Sequence, residues 1–215
     1  MRIIKPSVEL ITPINGEIVM KRLEQCGRVC YKSENSITAD SANQFLKGII
    51  KRGHESVLEH CSLTVKFIVD RGISHEIVRH RIAAYSQEST RYCNYSNDRF
   101  NNEITVIEPF FLTPGTKGYE CWKDSCNKAE QAYFELLEYG CTPQEARSVL
   151  PHSLKTEIVT TYNIREWRHF LRLRCGLDAH PQMREVATQL LDRLRQEMPV
   201  LFEDVFDGVY GRYLK

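Results

Sequence analysis

Arg79-His80-Arg81-Ile82-Ala83-Ala84-Tyr85-Ser86-Gln87-Glu88-Ser89-Thr90-Arg91-Tyr92 is the stretch on which the reading of this chain turns. Three nitrogen-rich side chains in a row are followed, after seven residues, by Ser89, Arg91 and Tyr92. Such a surface is costly to bury and contributes little to packing, so it points to an anionic or strongly hydrogen-bonding ligand. Three basic residues alone would read as a solvated turn; the whole string is far more specific. A short helix from Ile73 is expected to run into Arg79-His80-Arg81. Were Ile73 to Ile82 one unbroken helix, Arg79 and Arg81 would point about 160° apart. They could then share one ligand only if the helix distorts, or they serve two ligands or two subunits.

Around this segment the chain alternates between strand and helix patterns. Residues 7–11 suggest a short strand stopped by Pro13 and the Asn15-Gly16 turn, and Ile18 to Tyr31 a helix. Ser41 is placed to cap a second helix ending at Gly53. Ser62-Leu63-Thr64-Val65-Lys66-Phe67-Ile68-Val69 alternates and is β-branched, the clearest strand in the sequence. Further strands are expected at Ile104 to Ile107 and over 153–162, and helices over 117–139, 143–148, 164–174 and 182–206. Strands separated by helices imply an α+β or α/β fold. We take α+β: a single domain over 1–215, with an antiparallel or mixed sheet flanked by helices. No repeat or linker divides it.

Bulk properties exclude several function classes. With 29 basic and 28 acidic residues, the net charge of +1 lacks the excess of Lys and Arg that a dedicated nucleic-acid binder uses. Eight cysteines without a Cys-x-x-Cys pair read as reduced, mostly buried residues, which suits a cytoplasmic enzyme. The amino terminus lacks the apolar core of a secretory signal, and no run spans a bilayer. His54-Glu55-Ser56-Val57-Leu58-Glu59-His60 has its histidines six apart, off the four-residue spacing of a zinc helix; no metal is expected, and a loop presenting polar groups is the better reading. No glycine-rich phosphate loop occurs, and no cysteine has an evident base beside it.

The helix expected at 164–174 carries a second basic group. Ile164, Trp167, Phe170 and Leu171 form its apolar stripe, while Arg165, Arg168 and Arg172 cluster opposite as a solvated or ligand-facing surface. Arg174 falls inside the stripe, where a guanidinium needs a carboxylate, a phosphate or a ligand carbonyl unless it snorkels out.

Taken together, these segments resemble the flavin-dependent thymidylate synthases. Arg79-His80-Arg81, seven residues and Ser89-x-Arg91-Tyr92 match the signature of that family. The 54–60 segment, Arg147 before Leu150-Pro151, Asn163-x-Arg165 and Leu171-x-Leu173-Arg174 follow in family order. The resemblance implies an FAD enzyme that methylates dUMP, with methylenetetrahydrofolate and NADPH as co-substrates. It implies a homotetramer whose active sites lie at subunit interfaces, acting on no nucleic acid and no membrane. It would place the flavin against Ser56, Arg79, His80, Arg81, Gln87, Asn163, Arg165 and, more weakly, His169, with His54 against both flavin and folate. The nucleotide would meet Glu76, Ile77, Val78, Arg79, Gln87, Glu88, Ser89, Thr90, Arg91, Arg147 and Arg174. Arg174 would be the catalytic cation, polarising the uracil ring. Glu76, Gln87 and His169 depart from the residues common at those places. A different class of reading is a single-stranded nucleic-acid module, with Tyr85, Tyr92, Tyr95 and Phe100 stacking bases between arginines.

Overall fold

The computed structural model describes residues 1–211, the side chain of Arg99 excepted. Its first half runs β1 (Arg2–Ile4), β2 (Ser7–Leu10), α1 (Gly16–Val29), α2 (Ser41–Lys51), β3 (Ser62–Asp70), α3 (Arg71–Ile77), β4 (Ala84–Gln87) and β5 (Thr105–Ile107). There follow α4 (Lys117–Glu138), α5 (Pro143–Ala146), β6 (Lys155–Asn163), α6 (Ile164–Arg174), α7 (Pro181–Glu197) and α8 (Pro199–Tyr210). This is an α+β chain. Strands β2-β3-β6-β4 form one antiparallel sheet in that order. The alternation that identified β3 buries Leu63, Val65, Phe67 and Val69, and that of β6 buries Thr156, Ile158, Thr160 and Tyr162.

Two compact units emerge. One comprises Met1–Ser7, Phe67–Arg79 and Tyr85–Val159; the other Val8–Lys66, His80–Ala84 and Thr160 onward. In the first unit β1 and β5 pair in parallel, Ile3 opposite Val106. Its core joins Ile104, Val106, Cys126, Tyr133, Ala146 and Leu154. Tyr95 is sunk into this core with only 4% of its surface exposed, edge-on to Phe100 and Tyr133. Helix α5 starts on a capping box, the Glu145 carboxylate reaching back to the Thr142 amide at 2.8 Å.

In the second unit Asn15 caps α1 by accepting the Ile18 amide at 3.1 Å. Gly16 allows the close approach there, because a Cβ would fall 1.9 Å from the Glu197 carbonyl oxygen. After α2 the chain turns at Gly53, whose φ of +70° is a left-handed conformation natural to glycine. Leu190, Leu191 and Leu194 of α7 and Leu201, Phe202 and Val205 of α8 are fully buried, as are Trp167, Phe170 and Leu171 of α6. The Trp167 indole donates to the Leu63 carbonyl at 3.1 Å, so its polar edge is satisfied inside the core.

Several expectations need correction. The helix leading into the Arg-His-Arg ends at Ile77, so the angular argument about Arg79 and Arg81 lapses. Off-helix bonding ends it: the Tyr85 hydroxyl takes the Ile77 carbonyl at 2.9 Å, while the Arg79 amide bonds back only to Glu76. Ser41 is the first residue of α2 and does not cap it, since its hydroxyl donates to the buried Glu24 carboxylate at 2.9 Å. Residues 55–60 form a 3₁₀ helix where a loop was expected. The helix expected over 182–206 is two, because Pro199 has no amide to continue the ladder and keeps Met198 out of the helical region. The short strands β1 and β4 were not foreseen. The expected 153–162 strand begins at Lys155.

Arg168 is the largest correction. It is only 1% exposed, not part of a solvated face. Its guanidinium holds both oxygens of Asp204 at 2.7 and 2.6 Å and also donates to the Leu201 carbonyl. Burial alone would raise the Asp204 carboxyl; the bonds from Arg168 and the charges of Arg168 and Arg172 outweigh it and hold the pKa below 3.8. Replacing Arg168 by Ala should therefore cost about 3 kcal/mol, the low edge for breaking a buried pair because Asp204 keeps water access. Urea unfolding checks it: a loss within about 0.5 kcal/mol, the range of ordinary surface substitutions, would refute the assignment.

Candidate active site

The residues singled out in the sequence divide between the units in a telling way. Glu76, Ile77, Val78, Arg79, Gln87, Glu88, Ser89, Thr90, Arg91 and Arg147 lie in the first unit; His54, Ser56, His80, Arg81, Asn163, Arg165, His169 and Arg174 lie in the second. The nucleotide set is thus the first unit's, Arg174 apart. The flavin set is the second unit's, apart from Arg79 and Gln87.

The second unit is organised around His80, whose ring is buried at 5% exposure and lies 4.9 Å, centroid to centroid, from Phe170. Its Nδ1 is 2.8 Å from Glu166 Oε1, and Arg174 Nε donates to its Nε2 at 3.2 Å. A guanidinium can only donate, so Nε2 carries no proton and the ring is the neutral Nδ1–H form, donating to Glu166. Burial lowers the pKa of His80 below 6.5; the bond to Glu166 opposes this, and the charge of Arg174 adds to it. The cation that the sequence placed in an apolar stripe therefore has a ring nitrogen among its partners.

Asn163 caps α6 by accepting the Glu166 amide at 2.8 Å. Around it a hollow of about 360 Å³ is lined by Glu55, Glu59, Ile82, Asn163, Arg165 and His169. Ile82 is 70% exposed and gives this polar hollow an apolar wall. Arg165 donates to Glu59 at 2.6 Å. His54 is exposed, its Nδ1 2.9 Å from the Tyr31 hydroxyl, and Ser56 is exposed in the 3₁₀ helix. His80, Glu166 and His169 also have their ligand atoms within 4.8 Å of one another. A metal there would take one His80 nitrogen, displacing the bond it makes to Glu166 or Arg174, and would sit close to the Arg174 cation. Glu166 was missed in the sequence. Its place one helical turn from Phe170 gives no hint of a histidine partner 86 residues earlier.

In the first unit a cavity of about 480 Å³ is lined by Arg71, His75, Thr90, Arg147, Ser148 and His152. Arg147 donates to Thr90 Oγ1 at 3.3 Å and Arg71 to the Glu88 carbonyl at 3.1 Å. Two guanidinium groups and two imidazoles in one wall suit an anion such as a phosphate. Glu88 is largely committed to the structure: its carboxylate takes Lys155 Nζ at 2.9 Å and the Glu157 amide at 3.2 Å. Ser89 Oγ accepts the Arg91 amide at 3.3 Å, the local bond of a turn. Arg71, His75 and His152 were not foreseen: the first two stand in α3 just before the signature and the third on the approach to β6, and no motif marks them.

The base-stacking reading fails on burial. Tyr95 and Phe100 pack in the core and the Tyr85 hydroxyl is bound to Ile77, which leaves Tyr92, at 75% exposure, as the one ring of the four that faces solvent. Arg91 stands 5.4 Å from the Tyr92 ring centre.

The neutral His80 has a consequence for stability. Because its folded pKa lies below 6.5, protonation favours the unfolded chain. Its contribution is complete above pH 6.5 and is lost as pH falls through that value towards the folded one. Urea midpoints should decline as pH falls below about 6.5, and His80→Gln should flatten that part of the profile. A wild-type midpoint that rises on acidification over this window would contradict the assignment.

Comparison with known proteins identifies the family. A sequence model of the family described as thymidylate synthase complementing protein (Thy1) matches residues 18–200. A flavin-dependent thymidylate synthase of Geobacter sulfurreducens is 34% identical over 188 residues, 84% of this chain and 79% of its own. One from Mycobacterium avium is 34% identical over 218 residues, covering 93% and 84%. The crystal structure of a UMP/dUMP methylase PolB from Streptomyces cacaoi, bound with 5-Br dUMP, shares the fold: TM-score 0.76 at 24% identity, over 94% of this chain and 96% of that one. With the family model matched over residues 18–200 and relatives about a third identical over most of its length, the chain belongs to the flavin-dependent thymidylate synthases.

Proposed function

We propose that this chain catalyses the reductive methylation of dUMP to dTMP, working in the cytoplasm as a homotetramer with active sites at subunit interfaces. The span 1–215, of which residues 212–215 lie outside those described, would act as one synthase domain. No helix among the described residues is long and apolar enough to cross a membrane. The observation that carries the reading is Arg174 held against a neutral His80. Burial keeps that ring uncharged, so no second positive charge stands beside the guanidinium, which the ring nitrogen helps to orient.

The residues fit a flavin. Exposed Ile82 offers an apolar wall to a ring, Asn163 has its amide nitrogen left to donate, and His169 and Arg165 supply polar and cationic groups at the rim. At about 360 Å³ the hollow is near the small end of ligand sites, which run from about 300 to 1,000 Å³. FAD would extend beyond it, which favours further surface from another protomer. His54, Ser56, Arg79, His80, Arg81 and Gln87 complete the proposed cofactor set. Held there, FAD would supply hydride chemistry, with NADPH as reductant and methylenetetrahydrofolate as the one-carbon donor.

The protein's share is positioning and electrostatics. The cavity walled by Arg71, Thr90 and Arg147 suits the nucleotide phosphate. Glu76, Ile77, Val78, Arg79, Gln87, Glu88, Ser89 and Arg91 complete the proposed nucleotide set. Arg174 would stabilise negative charge developing on the uracil ring. Ser89 serves as a donor in the substrate site, since the bond it makes is to a backbone amide and not to a base.

A flavin spectrum of the purified protein, followed by turnover with dUMP, methylenetetrahydrofolate and NADPH, tests the assignment directly. Arg174→Ala should keep the yellow colour and lose about 10²- to 10³-fold in dUMP-dependent rate, the loss typical of removing one charge-stabilising donor. Normal turnover in that variant would sink the role given to Arg174. Ser89→Ala should retain measurable methylation; complete loss with dUMP affinity intact would make Ser89 a nucleophile instead.

A further inference from the structure

Gln87 in the first unit has lost its chemical symmetry. A glutamine ends in an oxygen and an NH₂ of similar size, and its partners decide which is which. Ser74 Oγ lies 2.8 Å from the Arg71 carbonyl oxygen. A carbonyl carries no proton, so the hydroxyl proton is committed to that bond. Ser74 Oγ can then only accept, and the Gln87 atom 2.9 Å from it must be Nε2. The second proton of that nitrogen goes to Thr156 Oγ1 at 3.2 Å, a hydroxyl that also receives Arg71 Nη1 at 3.4 Å. Ser74 and Thr156 are both at 0% exposure, so water does not replace either bond. With both N–H groups spent, half-buried Gln87 has Oε1 left, and Oε1 can only accept.

We propose that Ser74 is a specificity-determining positioning residue, which holds Gln87 as a one-way acceptor so that the ligand group facing it is a ring imide N–H. This rests on Gln87 belonging to the ligand site, as argued above. Along its pairing edge uracil offers two carbonyl oxygens and one donor, the N3–H. Cytosine has an unprotonated N3 at the same place, and two acceptors face to face repel. The isoalloxazine ring carries the same imide, so the shared chemistry is the cyclic imide, from nucleotide or flavin.

The test uses the FAD-loaded enzyme and its Ser74→Ala, Thr156→Val and Ser74→Ala/Gln87→Glu variants. Dissociation constants are measured for dUMP and dCMP, and for FAD after flavin removal. Ser74→Ala should reduce the preference for dUMP over dCMP about five- to tenfold, the worth of one net hydrogen bond. Most of the change should be tighter dCMP binding, because the released amide can turn Nε2 outward. The double variant should restore the preference, since a carboxylate has no N–H face; general structural damage would weaken both nucleotides and would not be rescued. If the imide is the flavin's, the same loss and rescue appear in FAD affinity while the nucleotide ratio holds. Thr156→Val gives the same reading should Ser74→Ala fold poorly. No change in either quantity, or no rescue, overturns the inference and leaves the synthase assignment standing. Wild-type protein that binds neither dUMP nor FAD removes both.

Discussion

A neutral imidazole has one proton to give and one lone pair to offer, and His80 spends both inside the protein. The proton goes to Glu166 and the lone pair to Arg174. That division settles much else in the second unit. It helps to orient Arg174 at the end of α6. It also brings Glu166, in the first turn of the helix that Asn163 caps, into the polar cluster. Burial against Phe170 is what makes the arrangement stable, because a charged ring there would lose its hydration and repel the neighbouring guanidinium.

The first unit obeys the same constraint with different chemistry. Arg71, Ser74, Gln87 and Thr156 form a chain in which each buried polar atom has its partner, as burial requires. Satisfied networks are rigid and directional. That is why Gln87 presents a defined face, and why the strand and turn from β4 to Tyr92 hold their shape beside the cavity of Arg71 and Arg147. Glu88, which looks as available as its neighbours in a linear reading, is tied down by Lys155 and β6.

The arginines illustrate how far local pattern reaches. Arg165, Arg168, Arg172 and Arg174 were sorted by helical position alone, and α6 itself has the extent expected. The sorting went astray at Arg168 because the face it occupies is covered by α8, whose Asp204 stands 36 residues on. Periodicity shows which residues share a side of a helix. It is silent on whether a second element lies against that side. The same limit explains Ser41, a good capping residue whose hydroxyl was drawn instead to Glu24, and α3, whose last carbonyl was taken by Tyr85.

Residue order alone determined the long elements β3, α4, β6 and α6, the alternation that buries one face of each long strand, and the motif that names the family. These follow from periods of two and 3.6 residues and from a string of side chains, both local properties. Tertiary structure decided which guanidinium of α6 is buried on a carboxylate, which nitrogen of His80 carries the proton, and which end of Gln87 donates. Each of those outcomes depends on hydrogen bonds to groups 13 to 94 residues away. A donor and an acceptor so far apart in the chain acquire a relation only when folding puts them within about 3 Å of each other.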